Sequence, residues 1–236
     1  MTYRIVTIPK LDERITEQDQ LALAHKFREF RLFALKTAPG AFASSYDEEA
    51  KRDLDHTFER LRNAKATRFV ALADESSTPD MAHVREANIG ELLNRDWLGC
   101  LVLIGLEESL HSVSAKADPF SQIAEKTDSD GTAHEMHNND FTQFHLNGMF
   151  VVPSTRRCGM GAGLIEAALD AARSGSEQSG YGFHYTIIVD EWNHAAIKLY
   201  ERAGFEVVAK ETYGEDRIAL RMELSQGGEV AGKVAA

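Results

Sequence analysis

The chain has 236 residues and a hydrophobic fraction of 43%, enough to fill the core of one domain that carries insertions. Its net charge of −11 argues against nucleic acid as the main partner, because affinity for a phosphate backbone rests on lysine and arginine, and leaves an amine as the better fit. No stretch supplies the roughly 18 uninterrupted apolar residues of a membrane span, and residues 1–10 lack the apolar core of a secretory signal. The expectation is a soluble, cytoplasmic protein, monomer or homodimer, without a membrane partner.

In chain order, residues 3–9 are predicted as a first strand. Thr16 to Asp19 form a helix-capping signal, and Leu23, Phe27, Phe30 and Ala34 follow as its buried stripe. Pro39-Gly40 ends that helix. Ser45-Tyr-Asp-Glu48 is a second capping box, and Ala50, Leu54, Phe58 and Leu61 predict one continuous helix after it. Apolar runs at 68–74 and 100–106 read as the second and third strands. Two polar excursions, 75–95 and 107–142, exceed what a hairpin needs and are predicted as insertions.

Within the second excursion, His134-Glu-Met-His137 falls one residue short of the His-Glu-x-x-His spacing that puts two imidazoles on one helix face. Cys100 and Cys158 have neither metal-ligand spacing nor a disulfide framework, so no metal site is expected. Strands are predicted at 144–152, 181–189, 205–210 and 218–224. Residues 225–236 are glycine-rich and small, and are expected to form a flexible tail.

The most informative stretch is Val152-Pro153-Ser-Thr-Arg156-Arg157-Cys158-Gly159-Met160-Gly161-Ala162-Gly163. An apolar strand meets a proline, then a basic glycine-rich turn opens into a helix marked by Leu164, Ile165, Ala168, Leu169 and Ala172. The first turn of a helix carries amides without intrahelical acceptors and partial positive charge. Glycines let a phosphate reach that backbone, and Arg156 and Arg157 add charged, forked donors. A phosphate-bearing ligand is expected. Lys-Ser/Thr does not follow Gly161 or Gly163, which excludes a Walker A loop, and Leu164 stands where a dinucleotide fingerprint needs its third glycine. Cys158 in this turn is read as a passive small residue. Downstream, Asn193-x-x-Ala196-x-x-x-Tyr200-x-x-x-Gly204-Phe205 describes a short helix with an Asn N-cap and a glycine C-cap.

Together these two motifs resemble the GNAT superfamily of N-acyltransferases, whose acyl-CoA turn has the form Arg/Gln-x-x-Gly-x-Gly/Ala and stands here as Arg156-x-x-Gly159-x-Gly161. The resemblance implies an α/β fold, a mixed, mostly antiparallel seven-stranded sheet flanked by about four helices, in a single domain over 1–224 with the two insertions. It implies an acyltransferase that moves the acetyl group of acetyl-CoA to a primary amine by direct attack in a ternary complex. The cofactor-binding residues it implies are Phe150, Val151, Val152, Arg156, Arg157, Cys158, Gly159, Met160, Gly161, Ala162, Asn193 and Tyr200, with Val151 offering an N–H to the developing oxyanion and Tyr200 protonating the departing sulfur.

Where relatives use a carboxylate base, this strand reads Phe144-His145-Leu-Asn147-Gly148 and has none, leaving His145, Asp190 through water, or a substrate amine of depressed pKa. That gap supports an alternative, a CoA-binding regulatory module with little turnover. The segment from Arg31 to Ser44 also resembles the first-helix region of the family, which implies that Phe42, Ser44, Ser45 and Tyr46 border the acceptor. The alternative is a turn packed over the core by Phe42 and Tyr46.

Overall fold

The computed structural model describes residues 2–74, 84–106, 141–176, 182–213 and 217–227. Its strands are β1 (Thr2–Thr7), β2 (Ala66–Asp74), β3 (Arg85–Glu86), β4 (Trp97–Leu106), β5 (Phe141–Val151), β6 (Gly182–Asp190), β7 (Glu206–Tyr213) and β8 (Arg217–Gln226). Its helices are α1 (Glu17–Thr37), α2 (Tyr46–Lys51), α3 (Leu54–Arg62), α4 (Ile89–Asn94), α5 (Met160–Ser176) and α6 (His194–Arg202). The strands form one sheet in the order β3-β1-β2-β4-β5-β6-β8-β7. It is mixed: β1 pairs with β3 and β5 with β6 in parallel, whereas β1–β2, β2–β4, β6–β8 and β7–β8 are antiparallel.

The chain divides into two compact units. Unit 1 comprises residues 1–104 and 146–171. Its core gathers Val6, Val70 and Leu72 from the sheet, Ile8 just after β1, and Leu23, Ala24, Leu61 and Leu92 from the helices, with Trp97 buried among them. Burying such side chains stabilises by about 1.5–3 kcal/mol each, which fixes the helices on the sheet. Thr16 caps α1 by accepting from the Asp19 amide, as its sequence signal requires.

Three details go beyond the sequence reading. The single helix expected after Ser45 is two, because Asp53 accepts from the His56 amide and caps a new helix at Leu54. The polar excursion predicted at 75–95 contributes β3 and α4 among its described residues, and Leu92 of α4 is fully buried. Those elements and the split helix raise the described totals to eight strands and six helices, against seven and about four.

Unit 2 comprises residues 105–145 and 172–236. Here β5 pairs with β6 from Phe141 to His145, β6 pairs with β8 along its length, and β7 closes on β8. Phe144 stacks on Tyr185 with ring centroids 5.7 Å apart, one of the aromatic cross-strand contacts that stabilise such ladders. Strand β8 runs to Gln226, two residues into the predicted tail, with Arg173 donating to the Gln226 side chain at 2.9 Å. The His134–His137 motif and most of the second excursion lie outside the described residues. Among the described residues no helix is long and apolar enough to cross a membrane, and no group of His, Cys, Asp and Glu is arranged to hold a metal ion.

Candidate active site

The glycine-rich turn lies in unit 1 and is built largely from backbone. Strand β5 ends at Val151, and the Val152 amide donates to the Leu98 carbonyl at 2.8 Å. Pro153–Thr155 then forms one 3-10 turn, held by the buried Thr155, whose hydroxyl donates to the Val152 carbonyl. The Cys158 thiol donates to the Thr155 carbonyl. Two residues adopt left-handed backbone, Arg157 at φ 68° and Gly159 at φ 84°, and α5 begins immediately after them. The Gly159 carbonyl accepts from the Gly163 amide, the first bond of the helix. The amides of Met160, Gly161 and Ala162 therefore have no intrahelical acceptor and form an anion-binding helix terminus. Arg156 turns its Nε back onto the Val151 carbonyl at 2.9 Å, tying the basic arm of the turn to the end of β5.

Two glycines absent from the predicted site support this arrangement. Gly148 sits inside β5 at φ 62°, a left-handed conformation two residues before Phe150 that glycine adopts without strain. Gly99 of β4 faces the Phe150 carbonyl so closely that a Cβ there would stand 2.9 Å from that oxygen and 3.2 Å from the Met160 sulfur. It lets β5 and the start of α5 seat against the same strand. Lone glycines inside apolar strand patterns were the available sequence signal for both.

Unit 2 holds the other predicted residues. Asn193 caps α6, its side-chain oxygen accepting from the Ala196 amide at 3.3 Å. Gly204 follows that helix at φ 93°, the C-cap conformation glycine supplies without strain. Tyr200 is 3% exposed and edge-on to Phe205, with ring centroids 5.8 Å apart. Burial pushes its phenol pKa well above the ordinary value, and its hydroxyl has no hydrogen-bond partner among the described residues. His145 is buried, with Nδ1 3.0 Å from the Thr186 hydroxyl. Asp190 is buried in an ion pair with Arg217. Both base candidates are thus engaged in the sheet.

Unit 1 also contains a cavity of about 40 Å³ under α1, walled by Phe27, Phe30, Phe42 and Trp97 and by Cys100 and Val102 of β4. Arg31 and Arg68 reach its lining, as does Gly148. Phe42 lies 6.3 Å from the Phe150 ring, and Ser44 accepts from Arg31 at 3.3 Å. Ser45 is used as the α2 cap, and the half-exposed Tyr46 ring sits under the Lys36 ammonium. Of the four residues expected beside the acceptor, Phe42 reaches the cavity. The thiol of Cys100 is pushed up to about 12, chiefly by burial against the opposing effect of Arg31, and it donates to the Gly148 carbonyl.

Residues 121–207 match the family profile described as an acetyltransferase (GNAT) domain, a span that contains both sequence motifs. A search of curated proteins returned no match. Among solved structures, the chain is similar to a GNAT-family acetyltransferase from Streptococcus pneumoniae at 11% identity and a TM-score of 0.53, covering 95% of this chain and 99% of that one. It is similar to yncA of Salmonella typhimurium, solved with its cofactor acetyl-CoA, at 13% identity and a TM-score of 0.50 over 100% of both chains. A phosphinothricin acetyltransferase from Sinorhizobium meliloti, solved in complex with AcCoA, matches at 13% identity and a TM-score of 0.50 over 99% of this chain and 93% of that one.

Proposed function

We propose that this chain is a GNAT-superfamily N-acetyltransferase that moves the acetyl group of acetyl-CoA to a primary amine, a reading supported by the profile match over residues 121–207 and by the similar fold. The observation that carries the reading is the turn at Arg157 to Gly159, whose two left-handed residues deliver three unpaired amides at the start of α5. A Cβ at Gly159 would be strained at φ 84°, so the cradle is one that only glycine fills without cost. Acetyl-CoA supplies an activated thioester, and the similar structures solved with it support that choice of donor.

The residues divide the work as follows. Amides of Gly159, Met160, Gly161 and Ala162 hold the pyrophosphate, with the guanidinium groups of Arg156 and Arg157 beside them and Cys158 spanning the turn. The main chain of Phe150, Val151 and Val152 pairs with the pantetheine arm, and the Val151 N–H stabilises the developing oxyanion. Asn193 has committed its oxygen to the α6 cap, which leaves its Nδ2 to contact the same arm. The amine attacks the thioester carbonyl, a C–N bond forms, the C–S bond breaks, and Tyr200 gives its proton to the departing sulfur. Burial favours that role, since it holds the phenol protonated at neutral pH, and no described residue competes for its hydroxyl.

The acceptor amine must lose a proton before attack, its ordinary pKa being about 10.4. Asp190 is committed to its ion pair with Arg217, so His145 is the better of the two side-chain candidates, and water takes the proton otherwise. The engaged state of both residues favours one second reading, a CoA-binding regulatory module. Incubation with acetyl-CoA and an amine panel, read by mass spectrometry, separates the two. Acetylated product supports the enzyme; tight acetyl-CoA binding with no product from any amine supports the module.

A further inference from the structure

We propose that the cavity under α1 in unit 1 receives the acceptor, and that it selects an amine bearing a short branched aliphatic group and a carboxylate over a polycation; this rests on the acetyltransfer reading above. The volume of about 40 Å³ exceeds the roughly 10–15 Å³ that one water requires by the same measure, and its walls are mainly aromatic and aliphatic. Such a space holds water poorly and gains from an aliphatic occupant.

Charge decides the rest. Two lining residues are arginines, and among the described residues no carboxylate lines the cavity. Arg31 has an anionic partner that it shares: its Nε stands 3.0 Å from the buried Glu49, which also pairs with Arg60 at 3.1 Å. Arg68 is not balanced. It is 6% exposed, and its partners among the described residues are two carbonyls, Ala66 at 3.1 Å and Arg60. Lys10 adds a second cation nearby, donating to the Asn63 carbonyl at 2.8 Å and to Ala66. Arg60 and Asn63 lie at the C-terminal end of α3, whose dipole offsets part of this charge and leaves a net positive site.

Burial lowers the Arg68 pKa to about 10, and burial together with the Arg68 charge lowers Lys10 to about 8, as expected where no anion among the described residues answers them. A carboxylate on the acceptor would supply that anion through a charge-assisted hydrogen bond. A polyamine would meet two arginines instead. The net charge of −11 points the other way, but it describes the whole surface and not this pocket.

Trp97 lines the cavity and the chain has one other tryptophan, so a Trp192→Phe background makes Trp97 fluorescence a direct reporter of occupancy without any donor present. Titrate it with L-leucine, with 3-methylbutylamine, which is leucine without its carboxylate, and with spermidine. The expected result is saturable quenching or shift by leucine, affinity roughly tenfold or more weaker for 3-methylbutylamine, and no response to spermidine. Equal affinity for the amine, tighter binding of spermidine, or silence from all three overturns the proposal.

Arg68→Gln should bring leucine and 3-methylbutylamine to similar affinities. If that variant fails to fold because α3 loses its capping cation, Val102→Phe, which fills the cavity, should abolish the leucine response, and an unchanged response would overturn the assignment. A parallel acetyl-CoA titration keeps the two ideas apart. Leucine binding without acetyl-CoA binding sinks the transferase reading and keeps the pocket, whereas acetyl-CoA binding with silent Trp97 does the reverse.

Discussion

The turn in unit 1 and the polar side chains of unit 2 present their chemistry in opposite ways. The turn offers backbone amides that the helix geometry leaves unpaired, and its side chains at Thr155, Arg156 and Cys158 serve to fix that backbone. In unit 2 the acid–base candidates are side chains, and two of the three, His145 and Asp190, already have partners. Tyr200 alone has a hydroxyl without one among the described residues. The lesson is that binding rests on a conformation glycine enforces, whereas acid–base roles rest on which side chains the packing leaves uncommitted.

The strongest way to break this contrast is Gly161→Tyr. A bulky side chain at the open helix terminus should displace at least two charge-assisted amide contacts, lowering acetyl-CoA affinity roughly 100-fold or more in a calorimetric titration. Unchanged affinity would mean the turn does not hold pyrophosphate. Tyr200→Phe comes next: single-turnover rates should fall by about 100-fold, a usual worth for one general acid, with acetyl-CoA affinity nearly intact. Full activity would remove Tyr200 as the proton donor.

Gly99→Ala tests the support behind the turn. Its Cβ would press on the Phe150 carbonyl, so thermal denaturation should show a loss of about 1–3 kcal/mol, with weaker acetyl-CoA binding alongside. Asp190→Asn should change kcat by less than roughly threefold if Arg217 keeps that carboxylate out of catalysis, because a base worth its place contributes about 100-fold or more. A larger drop would return Asp190 to the mechanism.

The smallest effect concerns pH. Burial raises the Glu49 carboxyl pKa, but the guanidinium groups of Arg31, Arg60 and Arg52 outweigh it and leave the folded value below the ordinary 4.5. A carboxylate depressed on folding contributes stability that is complete above the unfolded value and is lost as pH falls through the folded one. Glu49→Gln should therefore flatten the stability profile below about pH 4.5, leaving other carboxylates to set the remaining slope. An unaltered acid limb would show that Glu49 does not link α1 to α3 in this way.

How much of this was legible in the sequence follows the same division. The turn could be located because glycine and proline spacing encodes backbone conformation locally, and Asn193 and Gly204 marked the ends of α6 for the same reason. The break between α2 and α3 was harder to read, since Asp53 falls inside a helical apolar pattern and its cap bond wins over that pattern. Strand β3 is two exposed residues paired to β1, with no apolar signal to find. Gly99 and Gly148 reveal their roles once Phe150 is in place. The partners of Asp190 and Glu49 come from residues 27, 18 and 11 positions away, separations at which single-sequence periodicity carries no information.

The most direct measurement is a calorimetric titration of the purified chain with acetyl-CoA, run beside ATP and NAD and repeated on Gly161→Tyr. Selective, saturable binding of acetyl-CoA by the native chain and its loss in the variant is the predicted result. Equal binding by both proteins, or a preference for ATP or NAD, would contradict the assignment of this turn.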